Sequence, residues 1–251
     1  MPAFEFPLNE KVRSYLRADE LLGRVSQLVS QDDALSHHFA LQTLLEMQEM
    51  LSRTDIKGEL IRDMDRQRAN LSGLRDNEHI EQSKLEEVLT EVAHCHQRLS
   101  TLGGKPGQGL SEVDWVNAVR GRITIPAGTC SFDLPAYHHW QRQPSATRQS
   151  DLRNLAEHFS AIQQPLALVL KVLRQSGEFM AVVAKDGVAQ YAIPGGRPAQ
   201  LLRLELAEHL NCVPEISANR LNIAIRWMEI SPDYHLSALQ TDVAFRMCLC
   251  H

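Results

Sequence analysis

The sequence predicts an α+β protein: a mostly helical N-terminal domain over residues 1–118, then a C-terminal antiparallel β-sheet or sandwich over 119–251. Up to residue 118 the apolar residues recur at the three- and four-residue spacing of amphipathic helices. Beyond residue 178 they alternate with polar ones, as on strands with one buried face. Between these lies RGRITIPAGTCSFDLP, Arg120 to Pro135, where the spacing first changes. Here Arg120, Arg122 and Thr124 are expected on one strand face and Ile123 and Ile125 on the other, before a Pro-Ala-Gly turn.

After Pro7, the residues Leu8, Val12, Tyr15, Leu16, Leu21, Leu22, Val25 and Leu28 make a first helix with Asn9 as its N-cap. The second, Ala34 to Leu51, is expected to turn Leu35, Phe39, Leu41, Leu44, Leu45 and Leu51 inward, with Met47 and Met50 as adaptable filler. Thr54 and Asp55 open a third through Ile56, Leu60, Ile61, Met64 and Leu71, whose outer face carries Glu59, Arg62, Asp63, Asp65, Arg66 and Arg68. Arg53 stands in the connection before it. Leu85, Val88, Val92, Cys95, Leu99 and Leu102 form an a/d seam that closes either on the third helix or on a second copy of the chain. The GGKPGQG loop lacks the spacing of a phosphate loop. Ser111 with Asp114 reads as a capping-box start to a short helix through Trp115, Val116 and Val119.

Tyr137 to Trp140 reads as a helical turn, and Arg148–Phe159 and Pro165–Leu173 as helices, with Pro165 at the first helical position. These helices, within 147–176, are expected to pack with the helical domain or at the junction. FMAVVAKDGVAQYAI is a strand, an Asp186-Gly187 turn and a second strand, which predicts a hairpin. Leu202, Leu204 and Leu206 alternate with Arg203 and Glu205. Arg220–Met228 places Leu221, Ile223, Ile225 and Trp227 inward against Arg220, Asn222, Ala224 and Arg226, and Leu239–Leu249 forms the final strand.

With 26 Lys and Arg against 31 Asp and Glu, any anion site must be a local patch, which disfavours nucleic acid as a partner. No apolar run is long enough for a membrane span, the N-terminus lacks a signal-peptide pattern, and five cysteines show no framework spacing. A cytosolic chain without disulfides, metal or cofactor is expected. Ser131, Asp133, His138 and His139 supply the residue types of a hydrolase triad without a nucleophile elbow. The terminal Cys248-Leu249-Cys250-His251 falls one ligand short of a tetrahedral zinc site and is read as strand side chains dispensable for binding. What recurs is arginine on outward strand positions: Arg120, Arg122, Arg203, Arg220 and Arg226, with Arg246 a further candidate. On neighbouring strands these would form one cationic field suited to carboxylates.

The opening FPLNEKVRSYLR, RTDIKGELIRDMDRQ from Arg53, CSFDLP after Ile-Pro-Ala-Gly, LLRLEL from Leu201 and IAIRWM from Ile223 resemble the ZapD family of bacterial division proteins. The resemblance implies a non-catalytic cytoplasmic homodimer, joined through its helical domain, that binds the C-terminal peptide of FtsZ and cross-links its filaments at the midcell ring. It places that peptide in a basic pocket on the β-domain, with Arg53 and Arg226 at positions where the family's motifs are cationic. Asn222 departs from the pattern, a basic residue being expected there. The candidate peptide-binding residues are therefore Arg53, Arg120, Arg122, Arg203, Arg220 and Arg226. The rival readings are an adaptor for another acidic peptide and a small hydrolase using Ser131 or a terminal cysteine.

Overall fold

The computed structural model describes residues 3–75, 81–196, 198–207 and 210–251. The chain divides into two compact units, Arg17–Val169 and Met1–Leu16 with Leu170–His251. The division differs from the expected boundary after residue 118, because the chain between 119 and 169 is helical or wound in turns and packs with the helices before it. The α+β class holds: helices fill the N-terminal part and antiparallel sheets the C-terminal part.

The helical unit takes α1 (Glu10–Val29) from Arg17 onward, followed by α2 (Ala34–Ser52), α3 (Ile56–Ser72) and α4 (Gln82–Thr101). Side-chain caps start three of them. Asn9 Oδ1 accepts from the Val12 N–H at 2.8 Å, Asp33 Oδ1 from Ser36 at 2.8 Å and Asp55 Oδ1 from Gly58 at 3.1 Å, each satisfying an orphan donor of a first turn. The a/d seam closes on α3: α3 and α4 pack as a hairpin burying Ile56, Leu60 and Met64 with Leu85, Leu89, Val92, Cys95 and Leu99. Leu35 and Phe39 do not turn inward as expected but are 64% and 46% exposed, because the buried face of α2 runs through His37, Ala40, Leu41, Leu44 and Leu51. Asp63, expected on the outer face of α3, is buried.

Next come a 3₁₀ turn (Gln108–Glu112), α5 (Asp114–Arg120), α6 (Pro135–Gln141), α7 (Ser145–Ala156) and α8 (Ser160–Arg174). Ser111 does not cap α5. Its hydroxyl accepts instead from Gln48 Nε2 at 2.9 Å and Arg120 Nη1 at 3.1 Å. The strand expected from Arg120 is absent as well: Arg120 ends α5, and residues 121–133 wind through tight turns such as Ile125 N to Arg122 O and Gly128 N to Ile125 O. Alternation over five residues does not make a strand without a neighbour to pair with. Pro165 lies inside α8, which begins five residues earlier than read.

A buried arginine joins three parts of this unit. Arg148 donates to His37 Nδ1 at 2.9 Å, to Asp32 O at 2.7 Å and to Gln141 O and Gln143 O, while His37 Nε2 meets Gln31 O at 2.7 Å. The imidazole thus accepts on Nδ1 and donates from Nε2, and the guanidinium satisfies carbonyls left over at the C-terminal end of α6.

The β unit is a sandwich. One sheet has the order β1 (Ala3–Pro7), β4 (Leu201–Leu206), β8 (Val243–Cys250), β2 (Met180–Ala184). The other has the order β3 (Val188–Ala192), β6 (Asn222–Ile230), β5 (Cys212–Ala218), with β7 (Leu236–Ala238) on β6. All pairings are antiparallel. Leu202, Leu204, Leu206, Ile223, Ile225, Trp227, Phe245 and Met247 form the core between the sheets, with Phe4 and Phe6 against it. β1, β5 and β7 go unread in the sequence, although Phe4 and Phe6 alternate with Glu5 as a strand requires. The expected hairpin is a turn without a ladder. Asp186 and Gly187 both have positive φ, 48° and 74°, as a type I′ turn needs, but β2 then pairs β8 and β3 pairs β6. Leu221 is exposed in the β5–β6 turn and not inward on a strand.

Candidate functional site

The six candidate arginines divide evenly between the units. In the helical unit, Arg53 is the C-cap residue of α2, its side chain 76% exposed and paired along the helix with Glu49. Nearby, Lys105 of the glycine-rich loop donates to Ser52 O, so cations gather at the negative end of the α2 dipole. Arg120 reaches Gln48 Oε1 at 3.4 Å and Ser111, and Gln48 in turn donates to Gly107 O at 3.0 Å. Arg120 therefore pins the glycine-rich loop and α5 to α2. Arg122 pairs with Asp133 at 2.9 Å, closing the base of the 121–133 loop, whose Phe132 side stands out to solvent.

In the β unit the expected single field does not form. Arg203 and Arg246 sit on the outer face of the β1-β4-β8-β2 sheet and Arg226 on the outer face of the other, so the sandwich core separates them. Arg203 lies 3.2 Å from Glu5, donates to Arg174 O at 3.1 Å and stacks 5.2 Å from the Phe179 ring centroid. Arg174 grips the same Glu5 carboxylate with two nitrogens at 2.9 Å, and Arg246 pairs with Glu205 at 2.9 Å while lying 4.9 Å from Phe179. This is a brace of the sheet. Each of its guanidiniums is paired with a carboxylate, Arg203 and Arg174 with Glu5 and Arg246 with Glu205, although Arg203 Nε is buried without a hydrogen bond.

Arg226 is different. It is 58% exposed, stands across from Val188 on β3 and Glu215 on β5, and among the described residues meets the Glu215 carboxylate alone, at 3.7 Å. Arg220 lies at the exposed tip of the β5–β6 turn, where Asn219 Oδ1 accepts from the N–H of Leu221 and Asn222, and it has no ion-pair partner among the described residues. Arg220 and Arg226 are thus brought to one sheet, with Asn222 between them. Sequence reasoning missed Glu215, the acid that Arg226 must leave to take another carboxylate, because Pro214 disguises β5.

The hydrolase types are not assembled among the described residues. The Asp133 carboxylate takes Arg122 and Cys130, and the ring of His139 meets Gln143 at 2.9 Å. The Cys248 and Cys250 sulfurs are 3.6 Å apart and buried under α1 and α8 residues Val12 and Leu173. Burial first, then the neighbouring Cys248, pushes the Cys250 thiol up to about 12, which keeps it protonated and unreactive. They are strand side chains, as read, with Cys248 and Cys250 standing opposite Arg203 and Leu201 of β4. No helix among the described residues is long and apolar enough to cross a membrane.

A family model described as ZapD, cell division protein, matches residues 16–226. The chain belongs to the ZapD family. The matched segment includes all six candidate arginines, ends on Arg226, and spans parts of both units. For a ZapD-family chain, the resemblance read from CSFDLP and LLRLEL thus extends over most of its length, and its role is in cell division.

Proposed function

We propose that this ZapD-family protein binds the acidic C-terminal peptide of FtsZ and, as a homodimer joined through the helical unit, cross-links FtsZ filaments at the midcell ring, without catalysis. Family membership is the observation that carries the reading. The chemistry of the surface supports it: Arg226 and Arg220 are exposed cations on one sheet of an otherwise acidic chain, and a guanidinium held only by a 3.7 Å contact is free to exchange its carboxylate. Arg53, more exposed than Arg226 and paired with Glu49, is a candidate cation on the helical unit. For the dimer, Leu35 and Phe39 offer an apolar stripe one turn apart on α2.

The test is co-sedimentation and light scattering with assembled FtsZ, beside FtsZ lacking its C-terminal peptide. Bundling by the first and not the second, weakening as salt rises, is the expected result. Equal pelleting with both forms would remove the tail from the mechanism.

A further inference from the structure

The strand edges of the sandwich are not alike. β1 carries Glu5 and Pro7, and β5 carries Pro214 and Glu215, the charges and prolines that stop a sheet edge from recruiting another strand. β3 is Val188-Ala189-Gln190-Tyr191-Ala192, with neither charge nor proline, and among the described residues its ladder is on one side, with β6.

The register fixes which of its backbone groups are open. Gly187 O accepts from Trp227 N at 2.8 Å and Ile193 N donates to Leu221 O at 2.7 Å. Bonded pairs alternate in an antiparallel ladder, so Ala189 and Tyr191 also point their amides at β6. Gln190 and Ala192 therefore turn N–H and C=O away from it, and no hydrogen bond to those groups is made among the described residues. Backbone pairing between β2 and β3 among the described residues is confined to the Lys185–Val188 bridge beside the turn. Both Gln190 and Ala192 are exposed.

β2, Met180-Ala181-Val182-Val183-Ala184, is also uncharged, but its surroundings differ. Glu178 precedes it, and the cation across from Ala181 on β8 is Arg246, already paired with Glu205. Beside β3, Arg226 stands opposite Val188, and Arg220 lies next to Leu221, the residue bonded to Ile193. The acids near this face are Asp242 at the turn end, held by Lys185 and the Asp186 N–H, and Glu215 on β5, 3.7 Å from Arg226, which the peptide's carboxylates would displace.

We infer that an acidic peptide joins this sheet as an added antiparallel or parallel strand on the β3 edge, bonded to the backbone of Gln190 and Ala192, with its carboxylates turned to the Arg226 and Arg220 face. The inference rests on the tail-binding reading above and specifies how the tail is held. Backbone pairing supplies affinity that depends little on tail sequence, and the arginines select for acid.

The test uses the full chain and a labelled synthetic peptide of the FtsZ C-terminus, titrated by fluorescence anisotropy. Two peptide series carry backbone N-methyl groups at alternate residues, one in each phase. In a strand added to an edge only every second amide faces the protein, so one series should bind at least about tenfold more weakly and the other within about twofold of the parent peptide. Gln190→Pro removes an N–H that bonds nothing among the described residues, and it should weaken binding about as much while Gln190→Ala does not. If the unmodified peptide binds and both methylated series bind alike, strand addition is wrong while tail binding stands. If the unmodified peptide does not bind at all, the tail-binding reading fails and this inference with it.

Discussion

At Arg226 a single guanidinium faces outward with one loosely held acid across the strand, and the consequence of reversing it separates surface recognition from folding. Arg226→Glu should weaken tail binding by roughly 1–3 kcal/mol, since it replaces an attraction with a repulsion at a partly exposed site, and the loss should shrink as salt rises. Because the side chain lies outside the core, the melting temperature should move by only a few degrees. Arg68→Glu, an equal charge change on an exposed residue of α3, serves as the control and should bind and bundle like the parent. A second residue, His38, governs acid sensitivity. Tyr137, whose phenol burial holds protonated, hydrogen-bonds His38 Nδ1 at 2.6 Å, and burial lowers the His38 pKa below its ordinary 6.5. Between the lowered folded value and 6.5 the unfolded chain binds the extra proton and the folded chain does not. Stability should therefore fall as pH drops below about 6.5 and level off below the folded value. His38→Gln should flatten that part of a melting-temperature profile taken from pH 7.5 to pH 5, and an unchanged slope would assign the acid loss to other groups.

The elements are set by local chemistry wherever one residue type alone fits. Asn9, Asp33 and Asp55 start helices because each carries a short acceptor at the N-cap. The β2–β3 turn needs Asp186 and Gly187 because both positions have positive φ, and Gly187 has a further constraint: a Cβ there would lie 2.2 Å from Leu239 O. Gly187→Ala should thus cost about 1–3 kcal/mol, read by chemical denaturation, from left-handed backbone strain together with the displaced 239 carbonyl. Gly195→Ala is the comparison, since nothing lies within 4 Å of its Cβ position and its φ is not in that region, and it should be near neutral. If the two substitutions cost the same, the close approach to Leu239 contributes nothing.

For the whole molecule, the proposed function turns on valence. A dimer with one tail site per subunit holds two filaments, and weak contacts repeated along a filament become strong through effective concentration. Placing a charge in the exposed α2 stripe with Phe39→Glu should then yield a monomer that still binds a single labelled tail within about twofold but no longer bundles filaments. Analytical ultracentrifugation, anisotropy and light scattering on the one variant read the three properties separately. A variant that remains dimeric would move the subunit contact off this stripe.

The sequence by itself determined the class of the protein, its principal helices, the strands around Leu204, Ile225 and Phe245, and the family, because periodicity, caps and short motifs are local and survive without knowledge of neighbours. It also picked out Arg226 as an outward cation, since parity along a strand fixes which face a residue takes. Only the tertiary structure decided what those strands pair with. Arg120–Thr124 alternates like a strand yet turns, for want of a neighbour, while the Asp186-Gly187 turn sends its two arms into different sheets. Pairing also set the fate of the arginines: Glu5, from a strand not read, draws Arg203 and Arg174 into a brace, and the sandwich core divides the expected field between two outer faces. Hydrogen-bond partners distant in the chain carry no periodic mark in it, so the open edge of β3 and the partners of each guanidinium emerge only once the strands are paired.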